Sequence, residues 1–115
     1  MEYQDIKITI TLKQKPPTLL ANANVSINTV LFGFVTIKGF QIWKSQNFNE
    51  RLQEAINITP PMRPNFGRYI PLIFIENPNK WHELEMEIYS EFSNKRSKYQ
   101  SRTEEINIDD VPDNF

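Results

Sequence analysis

Few residues in this chain are suited to covalent or metal chemistry. It has no cysteine and one histidine, His82. That excludes a disulfide framework, a thiolate zinc site and a cysteine nucleophile, and it argues against a zinc hydrolase or a serine triad. The densest acids are Glu83, Glu85, Glu87 and Glu91. Acid–base catalysis needs two carboxyls converging in a cleft with separated pKa values. Glu83 and Glu87 instead share a helix face that reads as solvent-facing, so no catalytic residue is assigned and no enzyme is expected. Three isolated glycines cannot build a phosphate-cradling loop. No cofactor, no metal and no small-molecule substrate are expected.

The cations are more informative. Residues 93–102 carry Lys95, Arg96, Lys98 and Arg102 and no acid, while acids crowd both flanks, at 83–91 and at 104–113. One reading is compensation of the helix macrodipole, worth about 0.3–1 kcal/mol per cation. The other is a phosphate-contacting cluster with Tyr99 available for stacking. Arg63 and Arg68 stand in a proline- and glycine-rich loop, where ligand contacts often sit, and Lys80 opens the helical segment. These residues are the candidate nucleic-acid contacts. The net charge is −1, so only local patches could attract a polyanion.

The elements that must position them follow from periodicity. A chain of 115 residues and 13.6 kDa is one domain. Its apolar fraction of 39% supports a small core, and 14 isoleucines with 8 phenylalanines favour sheet packing. Ile6, Ile8, Ile10 and Leu12 alternate with Lys7, Thr9, Thr11 and Lys13, which predicts a half-buried strand. Ala21, Ala23, Val25 and Ile27 repeat the pattern against Asn22, Asn24, Ser26 and Asn28. A turn is expected at Asn28-Thr29, a third strand over 30–37 and a fourth over 40–43, punctuated by Lys38-Gly39. Gly33 inside the third strand suggests a bulge or a close backbone contact. Residues 44–64 admit two readings, a short helix over 48–56 or a loop entering a strand at 55–58. Residues 59–68 read as a loop and 69–75 as the last strand. Asn77 then caps a helix that Pro78 can open. Trp81, Leu84, Ile88 and Phe92 form its apolar stripe, expected to bury against the face carrying Ile6, Ile8 and Ile10. The helix is expected to end between residues 92 and 100. The domain is read as residues 1–100, with 101–115 a flexible acidic tail. The predicted class is α+β: a small antiparallel meander of four to five strands packed against one long C-terminal α-helix. No apolar run approaches the roughly 20 residues of a membrane span, and the N-terminus lacks signal-peptide character. A cytoplasmic protein without membrane contact is expected.

The order of these elements resembles the SpoVG family (stage V sporulation protein G, or septation protein) of bacterial regulators, over about Ile6 to Phe92. Ile6-Lys7-Ile8-Thr9-Ile10 is similar to the family's opening strand. Residues 20–27, Leu-Ala-Asn-Ala-Asn-Val-Ser-Ile, resemble its A-x-A-x-V strand. Residues 34–43 resemble its central strand pair, and Tyr69 to Phe74 with the amphipathic helix resemble its closing elements. The strand-and-loop motif expected near 54–63 is replaced, the aspartate before the last strand is missing at 66–69, and the helix opens Asn79-Lys80-Trp81 rather than Thr-Arg. The resemblance therefore implies a divergent member. It implies a homodimer formed partly by strand pairing, binding DNA or RNA to regulate gene expression or septation. The alternative is a protein-interaction module on the same fold that has lost nucleic acid.

Overall fold

In the computed structural model, residues 5–109 are described, with side chains over residues 5–100. The two alternating segments pair as predicted. Strand β1 (Ile6–Leu12) runs antiparallel to β2 (Leu19–Thr29), with Ile6 opposite Ile27 and Leu12 opposite Ala21. Then follow β3 (Gly33–Asn49) and β4 (Glu54–Thr59), and the four strands form a meander in the order β1-β2-β3-β4. A separate hairpin, β5 (Met62–Asn65) and β6 (Arg68–Pro71), precedes a single long helix, α1 (Pro78–Asp109). This is an α+β architecture of the predicted kind.

Several boundaries differ from the sequence reading. The β2–β3 turn lies at 30–32 rather than Asn28-Thr29. The Thr29 hydroxyl holds it, accepting the Phe32 N–H at 3.0 Å and donating to the Gly33 carbonyl at 2.8 Å. Gly33 makes no close contact; it begins β3 at φ 68, where a side chain would be strained. The expected third and fourth strands are one strand. Gly39, at φ 105, absorbs an irregularity in the β2–β3 ladder, and the chain bends there without ending. A Cβ at Gly39 would stand 3.4 Å from the Pro61 side chain.

Of the two readings for 44–64, the strand is the one found. Asn49 organises the β3–β4 turn by accepting the N–H groups of Arg51 and Leu52, and no helix forms over 48–56. The expected loop over 59–68 is mostly the β5–β6 hairpin. The last strand stops at Pro71, although the Leu72 N–H still reaches the Pro61 carbonyl at 2.8 Å. The helix continues to Asp109, past the expected end. The flexible tail expected over 101–115 falls on residues whose side chains, and from residue 110 whose backbone, lie outside the described part.

Helix α1 begins as its residues require. Asn77 caps it, its side-chain oxygen accepting the Asn79 N–H at 2.9 Å while its carbonyl accepts from Lys80 and Trp81. Leu84, Ile88 and Phe92 bury against Ile6, Ile10, Ala21, Ala23, Val25, Phe40, Ile42, Ile56 and Ile58. Trp81 and Ile8 pack at the margin, and Trp81 stacks on Phe40 with centroids 6.5 Å apart. The small side chains of Ala21 and Ala23, both fully buried, lie within this cluster. Replacing Ile88 by alanine is expected to cost about 2–5 kcal/mol of folding stability, measurable by urea denaturation; a loss below 1 kcal/mol would contradict its place in the core.

Candidate nucleic-acid interface

The candidate cations do not form one cluster, because the helix presents them to different neighbours. Arg96 turns toward β4. Its guanidinium holds both oxygens of Glu54, at 2.7 and 2.9 Å, and lies 4.6 Å from the centre of the Phe92 ring. Tyr89 donates its hydroxyl to the same carboxylate at 2.8 Å. A bidentate arginine pair fixes geometry as well as charge, so Arg96 anchors the helix to the sheet. A second clamp lies nearby. Arg51, in the β3–β4 turn, forks onto Glu85 at 3.0 and 3.2 Å. Glu85, one of the four acids crowded over 83–91 in the sequence, is buried at 3% exposure. Sequence spacing alone gave no sign of that partner, because Arg51 and Glu85 are brought together only by the fold.

Lys95 and Lys98 face the other way. With Asn94 and Glu91 they line a groove of about 220 Å³ against Ile8, Thr9 and Ile10 of β1. Both are exposed, and no described side chain pairs with either. Arg63 and Arg68 are exposed on one face of the β5–β6 hairpin, since Arg63 sits opposite Ile70 and Asn65 opposite Arg68. Lys80 pairs with Glu83 at 3.4 Å in the first turn of α1. Arg102 lies on α1, with its side chain outside the described part.

The sequence reading missed the outer face of the sheet. The helix covers only the face carrying the isoleucines. The opposite face carries Lys7, Thr9 and Thr11 on β1, then Asn22, Asn24, Ser26 and Asn28 on β2. On β3 it carries Phe34, Thr36, Lys38, Gln41 and Trp43, and on β4 Ala55, Asn57 and Thr59. None of these is an aspartate or glutamate. Ser26 and Thr36 share a hydrogen bond of 2.6 Å across the strands, and the Lys7 ammonium lies 4.1 Å from the centre of the Phe34 ring. Asn24 stands opposite Lys38, and Asn22 opposite Gln41. Thr9 belongs both to this face and to the groove of Lys95 and Lys98, so the two cationic areas adjoin at the β1 edge. The signal was present in the alternation, as the lysine, threonine and asparagine half of each strand.

Among the described residues, no group of three or more histidine, aspartate or glutamate side chains could hold a metal ion. Among them, too, no helix is long and apolar enough to cross a membrane. No protein-family model, curated protein or solved structure matches the chain.

The Glu54 clamp has a pH signature. Hydrogen bonding from Arg96 holds the Glu54 carboxyl below its ordinary value of 4.5, against the opposing effect of partial burial. A carboxyl depressed in the folded state contributes stability that is present above the unfolded pKa and lost as pH falls through the folded one. Wild-type stability is therefore expected to fall from about pH 5 downward, and Glu54→Gln is expected to flatten that fall while lowering stability at pH 7. Parallel pH–stability curves for the two proteins would refute the assignment. Arg96→Ala is expected to cost about 1–3 kcal/mol at pH 7.

Proposed function

We propose that this chain is a nucleic-acid-binding regulator of the SpoVG type, acting in the cytoplasm as a homodimer. The observation that carries the reading is the segregation of charge. Glu54 and Glu85 are taken up by arginines on the helix side, while the open sheet face and the β1 edge present Lys7, Lys38, Lys95 and Lys98, with Glu91 the one carboxylate lining the groove among the described residues. A near-neutral chain can then attract phosphates locally. Of the contacts inferred from sequence, Lys95 and Lys98 remain central. Arg63, Arg68, Lys80 and Arg102 remain peripheral candidates, and Arg96 is assigned to holding the fold.

Dimerisation has its own support. Strands β1 and β4 are both sheet edges, and an edge is a template for another strand. Residues 72–75, between β6 and α1, belong to no strand and expose Leu72 and Phe74. A second reading, a protein-interaction module, is favoured by one feature. The β2–β3 turn exposes Val30, Leu31 and Phe32 side by side, at 102%, 83% and 78%, and adjoining apolar side chains of this kind mark contact surfaces.

Gel-shift titrations at two salt concentrations test the first reading. Replacing Lys38, Lys95 and Lys98 together by alanine is expected to make the slope of log K against log salt shallower by roughly 2–3 units. An unchanged slope would remove these residues from the interface, and no binding of any nucleic acid at low salt would favour the interaction module. Light scattering is expected to give twice the chain mass of 13.6 kDa; a monomer at micromolar concentration would overturn the dimer.

A further inference from the structure

The outer sheet face ends in a built cleft. The β5–β6 hairpin brings Met62 and Tyr69 together with Gln41, Trp43 and Thr59, around a space of about 500 Å³, within the range of small-ligand sites. Met62 and Tyr69 lie on one face of the hairpin, the face opposite Arg63 and Arg68. Tyr69 is 70% exposed and Trp43 is half-buried, and among the described residues neither ring contacts another aromatic ring. Among the described residues, two polar atoms beside the cleft are buried without a hydrogen-bond partner: the hydroxyl of Thr59, a lining residue, and Asn22 Oδ1, on the residue opposite Gln41. A buried polar atom left unpaired costs about 1–3 kcal/mol and calls for an explanation.

From this constellation we infer that the outer face takes a single strand of nucleic acid, with one base seated in the cleft between Trp43 and Tyr69. The inference rests on the nucleic-acid reading and specifies its ligand. Every base has a flat π-face that can stack on an aromatic ring, and in a single strand the base is free to leave its neighbours. Gln41, which lines the cleft, supplies a donor and an acceptor for the polar edge of that base. Phe34, with Lys7 over its ring, marks the direction the strand would take along the sheet. Lys38 on β3 and Lys7 on β1 are placed for the phosphates between. A duplex keeps its bases stacked and paired, so the aromatic rings would go unused.

The test is fluorescence anisotropy with labelled strands of roughly 12 nucleotides, within the site sizes of single-strand binders. The probes are oligo-dT, oligo-rU, a duplex of the same length, and an abasic strand with the same phosphates. The expected order is tighter binding of oligo-dT or oligo-rU than of duplex or abasic strand; the ratio of the first two tells whether the 2′-hydroxyl is read. Tyr69→Ala is expected to weaken single-strand binding about 5- to 100-fold, with abasic and duplex binding changed less than about twofold. Tyr69→Phe should keep most of the affinity, and Gln41→Ala should lose part of it without changing the fold. If Tyr69→Ala binds the single strand as wild type does, the cleft is not a base site. If duplex or abasic strand binds as tightly as oligo-dT and oligo-rU, the inference falls and the general nucleic-acid reading stands. If none of the four binds at low salt, both fall.

Discussion

One helix can cover one face of a sheet, and the structure is organised around that limit. Along β1 and from Ala21 to Ile27 of β2 the aliphatic side chains point one way, and Leu84, Ile88 and Phe92 meet them there. Burial of that face supplies the main driving force for the fold, since each fully buried aliphatic or aromatic side chain contributes about 1.5–3 kcal/mol. The other half of each strand is left to solvent. Evolution could fill it with anything soluble, and it holds lysines, hydroxyls, amides and two aromatic rings on β3.

Charge is sorted by the same geometry. The arginines that reach acids do so with forked hydrogen bonds at the helix–sheet boundary, joining the β3–β4 turn and β4 to α1. Such pairs add modestly to stability, because desolvation offsets much of their attraction. Their stronger effect is on placement. They fix the helix in rotation and translation over the sheet, and so decide that Lys95 and Lys98 look toward the β1 edge. The lysines, with flexible stems and strongly hydrated heads, stay outside the core.

The sequence made the fold class legible because its strongest signals are periodic. Period two over Ile6 to Leu12 and over Ala21 to Ile27, and the stripe of Trp81, Leu84, Ile88 and Phe92, each describe one element packing on one face. What was not legible depended on contacts distant in sequence. Gly39 reads as a stop, and becomes a bend only because β2 continues beside it and Pro61 packs against it. Arg96 looks like its basic neighbours until Glu54 is brought to it, 42 residues away in sequence. The outer-face cleft needs β5–β6 folded over β3 and β4, and residues 59–68 were read as a loop because prolines and a glycine also suit a tight hairpin.

The irregularity at Gly39 sets the parity of β3. Before it, the side chains turned toward the helix have odd numbers, Val35 and Ile37; after it they have even numbers, Phe40 and Ile42. From Ala21 to Ile27 strand β2 keeps one parity, with Ala21, Ala23, Val25 and Ile27 all inward. The bend thus acts as a frame shift in the side-chain alternation. It lets a sequence that is out of step with itself present one apolar surface, and by the same stroke it aligns Phe34, Thr36 and Lys38 with Gln41 and Trp43 on the other. A regular strand through Gly39, with no irregularity to absorb the extra residue, would put both surfaces out of phase at once, so the core and the outer face share a single point of failure.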